Sequence, residues 1–318
     1  MLVTVENFPT ALKVKAYEFF WEEYVKYQPL FEEIVDFDPN VDSGLIIENS
    51  AIDVDDLEEV PFGSDLPQGV VQQGRDVYIA VKQFSRQIPI AFHAAREFAN
   101  EKILERFAKR FAVACVRTKE KKVATLFLKG ALLSGHEIFN NSYETQADPS
   151  GNYIYDGKPF FAPDQDNYRH EDLVGNEYYN YSALALTSDN FKTVWEKMTS
   201  LNNKDELGHP FSLLPDVLLV PVANEPTAKE IILKNPVESY NPFYRAVDIV
   251  SWAYLTDSDC WILGCKKKGI KAIQLGDPVI DIVQNQNNKA YHIQAIMLFG
   301  VAVTNWRYWY GVNLPQSE

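Results

Sequence analysis

Apolar positions change their period several times along the chain, and each change marks an element. Over residues 8–33, Leu12, Phe19, Phe20, Tyr24, Tyr27 and Phe31 recur at mixed three- and four-residue spacings. This predicts one or two amphipathic helices whose apolar face must dock on something. Residues 61–76 (PFGSDLPQGVVQQGRD) combine two Pro and three Gly with polar residues, the composition of a long turn. The following DVYIAVKQFSRQIPI alternates β-branched or aromatic with polar residues, as a half-buried strand does. With Leu57, Val60 and Phe62 upstream, this reads as a long two-stranded arm, only marginally stable without a partner surface.

From residue 90 to 129 the chain has neither Pro nor Gly. Leu104, Phe107, Ala108, Phe111, Ala112, Cys115 and Val116 recur at helical spacing, and after RTKEKK the stripe resumes at Val123, Phe127 and Ala131. One long helix is predicted, roughly 50–60 Å at about 1.5 Å per residue, closed by Gly130 or Gly135. Residues 140–180 are dense in turn residues with interleaved aromatics. Residues 187–201 open with Thr187 or Ser188 as N-cap and set Phe191, Val194, Trp195 and Met198 on one helical face. PDVLLVPV reads as a buried strand, and NEPTAKEIILK as a helix with Pro226 in its first turn. The rest is strand-rich: RAVDIVSWAYL, CWILGCK, IKAIQLG, PVIDIVQNQ and YHIQAIMLFGVAVTNWRYWYGV. Strands and helices are mixed rather than strictly alternating, and no internal repeat is visible, so the fold class is α+β.

Charge sharpens this picture. Residues 27–74 hold no Lys or Arg but twelve carboxylates, whereas ten cations against four carboxylates over residues 96–129 leave the long helix at +6. The whole chain, 318 residues at −14, has the wrong sign for a nucleic-acid-coating protein. Its 46% apolar content suits one large or two ordinary domains and excludes disorder. Cys115, Cys260 and Cys265 are too few and too scattered for a stapled fold or a four-ligand zinc site, and they suit a reducing cytosol. The opening residues lack a basic segment followed by an apolar one, and no run nears eighteen apolar residues. A soluble protein made in the cytoplasm, without a cleaved leader, is expected.

Catalytic motifs are missing. There is no G-x-G-x-x-G, no G-x-x-x-x-G-K-[ST] and no G-x-S-x-G, and His93, His136, His170, His209 and His292 show no H-x-x-x-H spacing. The cluster Asp53, Asp55, Asp56, Glu58 and Glu59 lacks the glycine and ligand spacing of a calcium loop, and reads as a solvated or partner-facing acidic strand. His136 with Glu137 reads as a helix-end complement to the dipole, Cys260 and Cys265 as small buried hydrophobes, and Lys266, Lys267 and Lys268 as a solvated hairpin turn. Trp306, Tyr308 and Tyr310 fall on one face of a strand and Trp309 on the other, as packing at a domain or subunit junction.

The order of these parts resembles the HK97-fold major capsid proteins of tailed phages: N-terminal arm, extended E-loop, spine helix, P-domain and A-domain. VKQFSRQIPIAFHAAREFANEKILERFAKRFA is similar to the strand entering the spine helix. YDGKPFFAP, LLPDVLLVPVANEPTAKEIIL and AYLTDSDCWILG resemble the Mu-like head-subunit branch, and the likeness runs from about residue 40 to the C-terminus. It implies an N-terminal arm over residues 1–45, an E-loop hairpin over 46–90, a P-domain with spine helix and loop region over 91–186, an A-domain over 187–285, and a C-terminal strand over 286–318 returning to the P-domain. Implied with it are self-assembly into hexamers and pentamers, a virion location after assembly in the host cytoplasm, a portal, packaged double-stranded DNA without sequence-specific binding, and no membrane. The segment before the E-loop is too short for a fused scaffolding domain, so a separate scaffold protein is implied. No catalytic residue, cofactor or metal is carried over, and no enzyme activity is expected.

The expected intersubunit residues are the acidic arm, Asp53, Asp55, Asp56, Glu58, Glu59 and Asp65, and the basic face of the spine helix, Arg96, Lys102, Arg106, Lys109, Arg110 and Arg117. Two alternatives stay open: an encapsulin-like compartment with the same fold, and, from another class, a carbohydrate-active hydrolase using paired carboxylates.

Overall fold

A computed structural model describes residues 8–49, 59–63, 65, 74–90, 101–141, 151–234, 241–284 and 291–317. In chain order the first elements are α1 (Phe8–Tyr24), α2 (Phe31–Ile34), β1 (Asp36–Asp38), β2 (Leu45–Asn49), β3 (Asp76–Ala80), β4 (Lys82–Ile90) and α3 (Glu101–Leu128). Then come β5 (His170–Glu171), β6 (Glu177–Tyr178), β7 (Tyr181–Ser182), α4 (Ser188–Glu196), β8 (Val217–Val220), α5 (Glu225–Ile232) and β9 (Asp248–Ser251). The chain closes with β10 (Trp261–Gly264), β11 (Ile270–Gln274), β12 (Val279–Gln284), β13 (Tyr291–Val303) and β14 (Trp309–Val312). Two units result: Met1–Gly44, Ala80–Val123 and Ala272–Val301 form the first, and Leu45–Ile79, Ala124–Lys271 and Ala302–Glu318 the second.

The first unit is built on a sheet ordered β1-β11-β13-β12, with β4 also paired to β13. Ile293 of β13 lies opposite Ile282 on one side and Ile88 on the other, both antiparallel. Ile293, Ala295, Met297, Phe299 and Val301 are buried, so one face of β13 is core. Helix α1 packs on β12, with the Lys13 ammonium 2.8 Å from Asp281. Ala16 and Phe20, one turn apart, are the fully buried positions among its described side chains. A turn separates α1 from α2, so the apolar pattern of residues 8–33 resolves into two helices.

Leu104, Ala108, Phe111, Ala112 and Cys115 carry the buried stripe of α3. The polar RTKEKK stretch interrupts that stripe in sequence but not in space. Lys119 and Glu120 are both buried there: Lys119 Nζ donates to Tyr24 Oη at 2.6 Å and lies over the Phe37 ring, and Glu120 accepts from the Leu30 N–H. Burying charges at this position is tolerable only because each finds such a partner.

The second unit holds a sheet ordered β7-β14-β10-β8-β9, antiparallel in its middle and parallel at both outer pairs. Every residue of β8, β10 and β14 is buried, as continuous apolar runs covered on both faces should be. Leu218, Val220, Trp261, Leu263, Tyr310 and Val312 meet Phe191, Val194, Ala228 and Ile232 of α4 and α5 in one core cluster. Elsewhere in this unit Phe127, at the end of α3, makes edge contacts with Trp309 and Trp252 at 4.9 and 6.1 Å. Thr187 is the N-cap of α4, its hydroxyl accepting from the Asn190 N–H at 3.2 Å, and Pro226 lies in the first turn of α5.

Two expectations need correction. The strand read over residues 76–90 is two strands: β3 pairs with β2, whereas β4 pairs with β13. At the break the Val81 N–H turns to the Gly44 carbonyl. The upstream partner in the arm is therefore Leu45–Asn49; Val60 and Phe62 lie in an exposed turn, and Leu57 falls outside the described residues. Alternation reveals a strand but not its partner, and a long-range strand such as β13 competes for one half of the segment. The long helix is described over Glu101–Leu128, 28 residues or about 42 Å, and the predicted stretch before it, residues 91–100, lies outside the described residues. Finally, Trp306–Tyr308 form a 3-10 turn capped by the Asn305 side chain, not a strand. The predicted alternation breaks, and Trp306, Trp309 and Tyr310 are all buried.

Candidate assembly surfaces

Spacings of four, four and seven put residues 102, 106, 110 and 117 on one face of α3. Lys102, Arg106, Arg110 and Arg117 are exposed there, and none has an ion-pair partner among the described residues. Lys109 turns aside, its Nζ 2.7 Å from Glu105 and 3.8 Å from Glu22 of α1. Its hydrogen bond to the Glu105 carboxylate raises the ammonium above the ordinary lysine range. Arg96 lies outside the described residues. The predicted basic face is thus brought together at four positions, while Lys109 ties α3 to α1 instead.

Beside this stripe, in the same unit, runs a groove of ≈ 410 Å³ between α3 and strands β4 and β13. Phe84, Phe111, Ala114, Ala295 and Met297 supply its apolar lining, and Arg86 and Arg117 its charge. None of the described residues lining it is acidic.

Of the predicted acidic arm, Asp53, Asp55, Asp56 and Glu58 lie outside the described residues, while Glu59 and Asp65 are exposed. The arm is rooted in the second unit by β2–β3 pairing and by a Glu48–Lys271 ion pair, and Arg75 Nη2 donates to the Glu171 carbonyl at 2.9 Å. Val77 and Ile79 of β3 are buried, whereas Leu45 and Ile47 of β2 are exposed and Phe62 has a relative exposure of 112%. Gly63, at φ +87, makes the turn that leaves this ring outermost.

A third polar arrangement sits in the core of the second unit. His170 Nδ1 is 2.6 Å from Asp156 Oδ2, and His170 Nε2 is 3.2 Å from Asn180 Oδ1. The ring is fully buried and stacks on Trp306 at 4.0 Å. Burial alone raises the Asp156 carboxyl, but the His170 charge, its hydrogen bond and Arg75 outweigh this and hold it below the ordinary carboxylate range. Asn180 also accepts from the Ala162 N–H and donates to the carbonyls of Phe160 and Trp309. Next to it the buried Arg307 reaches Glu206 at 2.7 Å and lies over Trp306. Among the described residues the second ring nitrogen faces the Asn180 amide rather than a hydroxyl or thiol, so the pair, sealed under an indole, ties loops together and is not the arrangement of an activated nucleophile. Nothing in the spacing of Asp156, His170, Asn180, Glu206 and Arg307 announced this network, because its members are up to 151 residues apart.

Comparison with known proteins agrees with the architecture. The phage capsid protein family matches residues 74–312. The chain belongs to the phage capsid protein family. Among solved structures, the capsid of the cyanophage P-SCSP1u matches at 9% identity with TM-score 0.53, covering 91% of this chain and 89% of that chain. The mature capsid of bacteriophage PhiM1 matches at 12% identity with TM-score 0.52, over 91% and 89%. A virus-like particle from Pyrococcus furiosus matches at 9% identity with TM-score 0.50, over 94% and 98%. No curated protein sequence matches the chain.

This capsid protein therefore has the HK97-like fold expected from the order of its motifs, and it functions as a major capsid protein. For such a subunit the informative surfaces are those left unsatisfied in the single chain: the stripe on α3, the neighbouring groove and the arm. Cys115, Cys260 and Cys265 are buried, and burial pushes their thiols up to about 11, 12 and 12. They behave as small apolar residues, as expected for the last two. Among the described residues no helix is long and apolar enough to cross a membrane.

Proposed function

We propose that this capsid protein is the head subunit of a tailed phage or prophage of the Mu-like branch, and that its copies form hexamers and pentamers closing an icosahedral shell around double-stranded DNA. The observation that carries this reading is the arm: Val77 and Ile79 of β3 are buried, but Leu45, Ile47 and Phe62 stay exposed and gain burial only by lying on another surface. Its acidic flank finds a complement on the α3 stripe of an adjacent copy, where Lys102, Arg106, Arg110 and Arg117 stand exposed. Single exposed pairs contribute roughly 0.2–1 kcal/mol, but repetition at every subunit contact makes them decisive for closure.

A net charge of −14 per subunit supports a lumen that does not grip the genome, which must slide in and out. Packaging then needs a portal, and assembly a separate scaffold protein, in the host cytoplasm. Negative-stain microscopy of the expressed subunit, alone and with the neighbouring phage genes, tests the proposal: closed shells are the expected result, and a monomer or small oligomer under all conditions would overturn it. Nuclease-protected DNA in the particles distinguishes a phage head from a compartment that encloses a protein cargo.

A further inference from the structure

We propose that Phe62 is a knob that seats in the groove between α3, β4 and β13 of a second copy of this chain, with Glu59 and Asp65 pairing with the arginines at its rim. This deepens the reading that the arm docks on a neighbouring subunit and rests on it. The knob is unusual in its own chain: a phenyl ring at 112% relative exposure, at the tip of a Pro-Phe-Gly turn, buries nothing. Leaving such a ring in water is unfavourable, and aromatic residues, Phe among them, are enriched at protein interfaces.

The groove has the matching shape and sign. At ≈ 410 Å³ it is roomy for one ring, since an apolar cavity of about 150 Å³ already holds benzene. Phe84, Phe111 and Met297 offer ring edges and a thioether for an aromatic guest. Arg86 and Arg117 are exposed at the groove, without ion-pair partners among the described residues, and Lys122 lies 5.4 Å over the Phe84 ring. On the arm, Glu59 and Asp65 stand three residues to either side of Phe62, within about 10 Å of it, the reach of three residues of chain. One apolar anchor flanked by two carboxylates meets one apolar slot flanked by two guanidiniums, the arrangement in which a central anchor supplies affinity and the rim charges fix register. Among the described residues lining the groove there is no carboxylate that would repel the arm.

The test replaces Phe62 with the photoreactive p-benzoylphenylalanine in assembled particles grown from a mixture of isotopically light and heavy subunits. Irradiation should give light–heavy adducts at residues 83–86, 111–118 or 295–297. Phe62→Ala should lower particle yield about tenfold without changing the melting temperature of the free subunit, and Phe62→Leu should restore most of the yield. Met297→Trp, which fills the slot from inside, should reproduce the Phe62→Ala defect. Adducts on the exposed α3 face at 102, 106 or 110 of another copy would overturn the knob while leaving arm docking intact. Adducts only within the same copy, or none on α3, β4 or β13 of another copy in well-formed particles, would overturn both.

Discussion

The five-stranded sheet of the second unit and the two-stranded arm rooted in the same unit solve opposite problems. In β8, β10 and β14 every side chain is buried, and Gly264 packs so closely under Trp309 that a Cβ there would lie 2.1 Å from the ring. In the arm, Leu45, Ile47 and Phe62 face outward. The sheet is complete in a single chain, whereas the arm buries Val77 and Ile79 of β3 but leaves these three side chains exposed. A shell subunit needs both: a core that keeps its shape while unassembled, and edges whose apolar and charged groups are left for neighbours. Helix α3 shows the same division within one element, since its Lys119 and Glu120 are satisfied internally while Lys102, Arg106, Arg110 and Arg117 face outward.

The strongest way to break this comparison is inside the sheet. Gly264→Ala should cost more than about 3 kcal/mol by overpacking against Trp309, and little folded subunit should survive, as read by denaturant titration. A stable variant would show that the sheet has slack and is not the rigid member of the pair. The arm should behave in the opposite way. Replacing Asp55, Asp56, Glu58 and Glu59 together by Lys should abolish particles while the subunit melts at the unchanged temperature, and reversing Arg106, Arg110 and Arg117 to Glu alongside should restore part of the yield. Normal assembly of the fourfold variant at both low and high salt would mean that apolar and backbone contacts alone hold the arm.

A smaller effect sharpens the reading of α3. Burial lowers the Lys119 ammonium from 10.5 to about 8, against weaker opposing contributions from Glu32, Cys115 and Asp277. Between these values the unfolded chain keeps a proton that the folded chain has released. Subunit stability should therefore rise as pH climbs through about 8 towards 10, by roughly 3 kcal/mol in total. Lys119→Met should flatten that rise in urea titrations across the same range. An unchanged profile would show that water reaches the ammonium and that this position is not core.

Motif order and periodicity carried much of the fold: α3, α4, α5, β8 and the C-terminal strands lie where apolar spacing, Thr187 and Pro226 indicated. Those signals are local, arising from side chains within a turn or two of each other, and the charge contrast between residues 27–74 and α3 is likewise countable by eye. Partner choice was not legible. That DVYIAVKQFSRQIPI splits between two sheets depends on β13, some two hundred residues away in the chain, claiming its second half. That RTKEKK is partly interior depends on Tyr24, Phe37 and Leu30 converging on it. The Asp156–His170–Asn180 network and the slot beside Arg86 and Arg117 exist only after distant segments meet. Sequence alone determined which segments are helix or strand and where charge accumulates, because those follow from neighbours along the chain. Tertiary structure alone decided which polar groups became core and which apolar ones stayed outside, because burial is set by the whole set of packed segments rather than by any one of them.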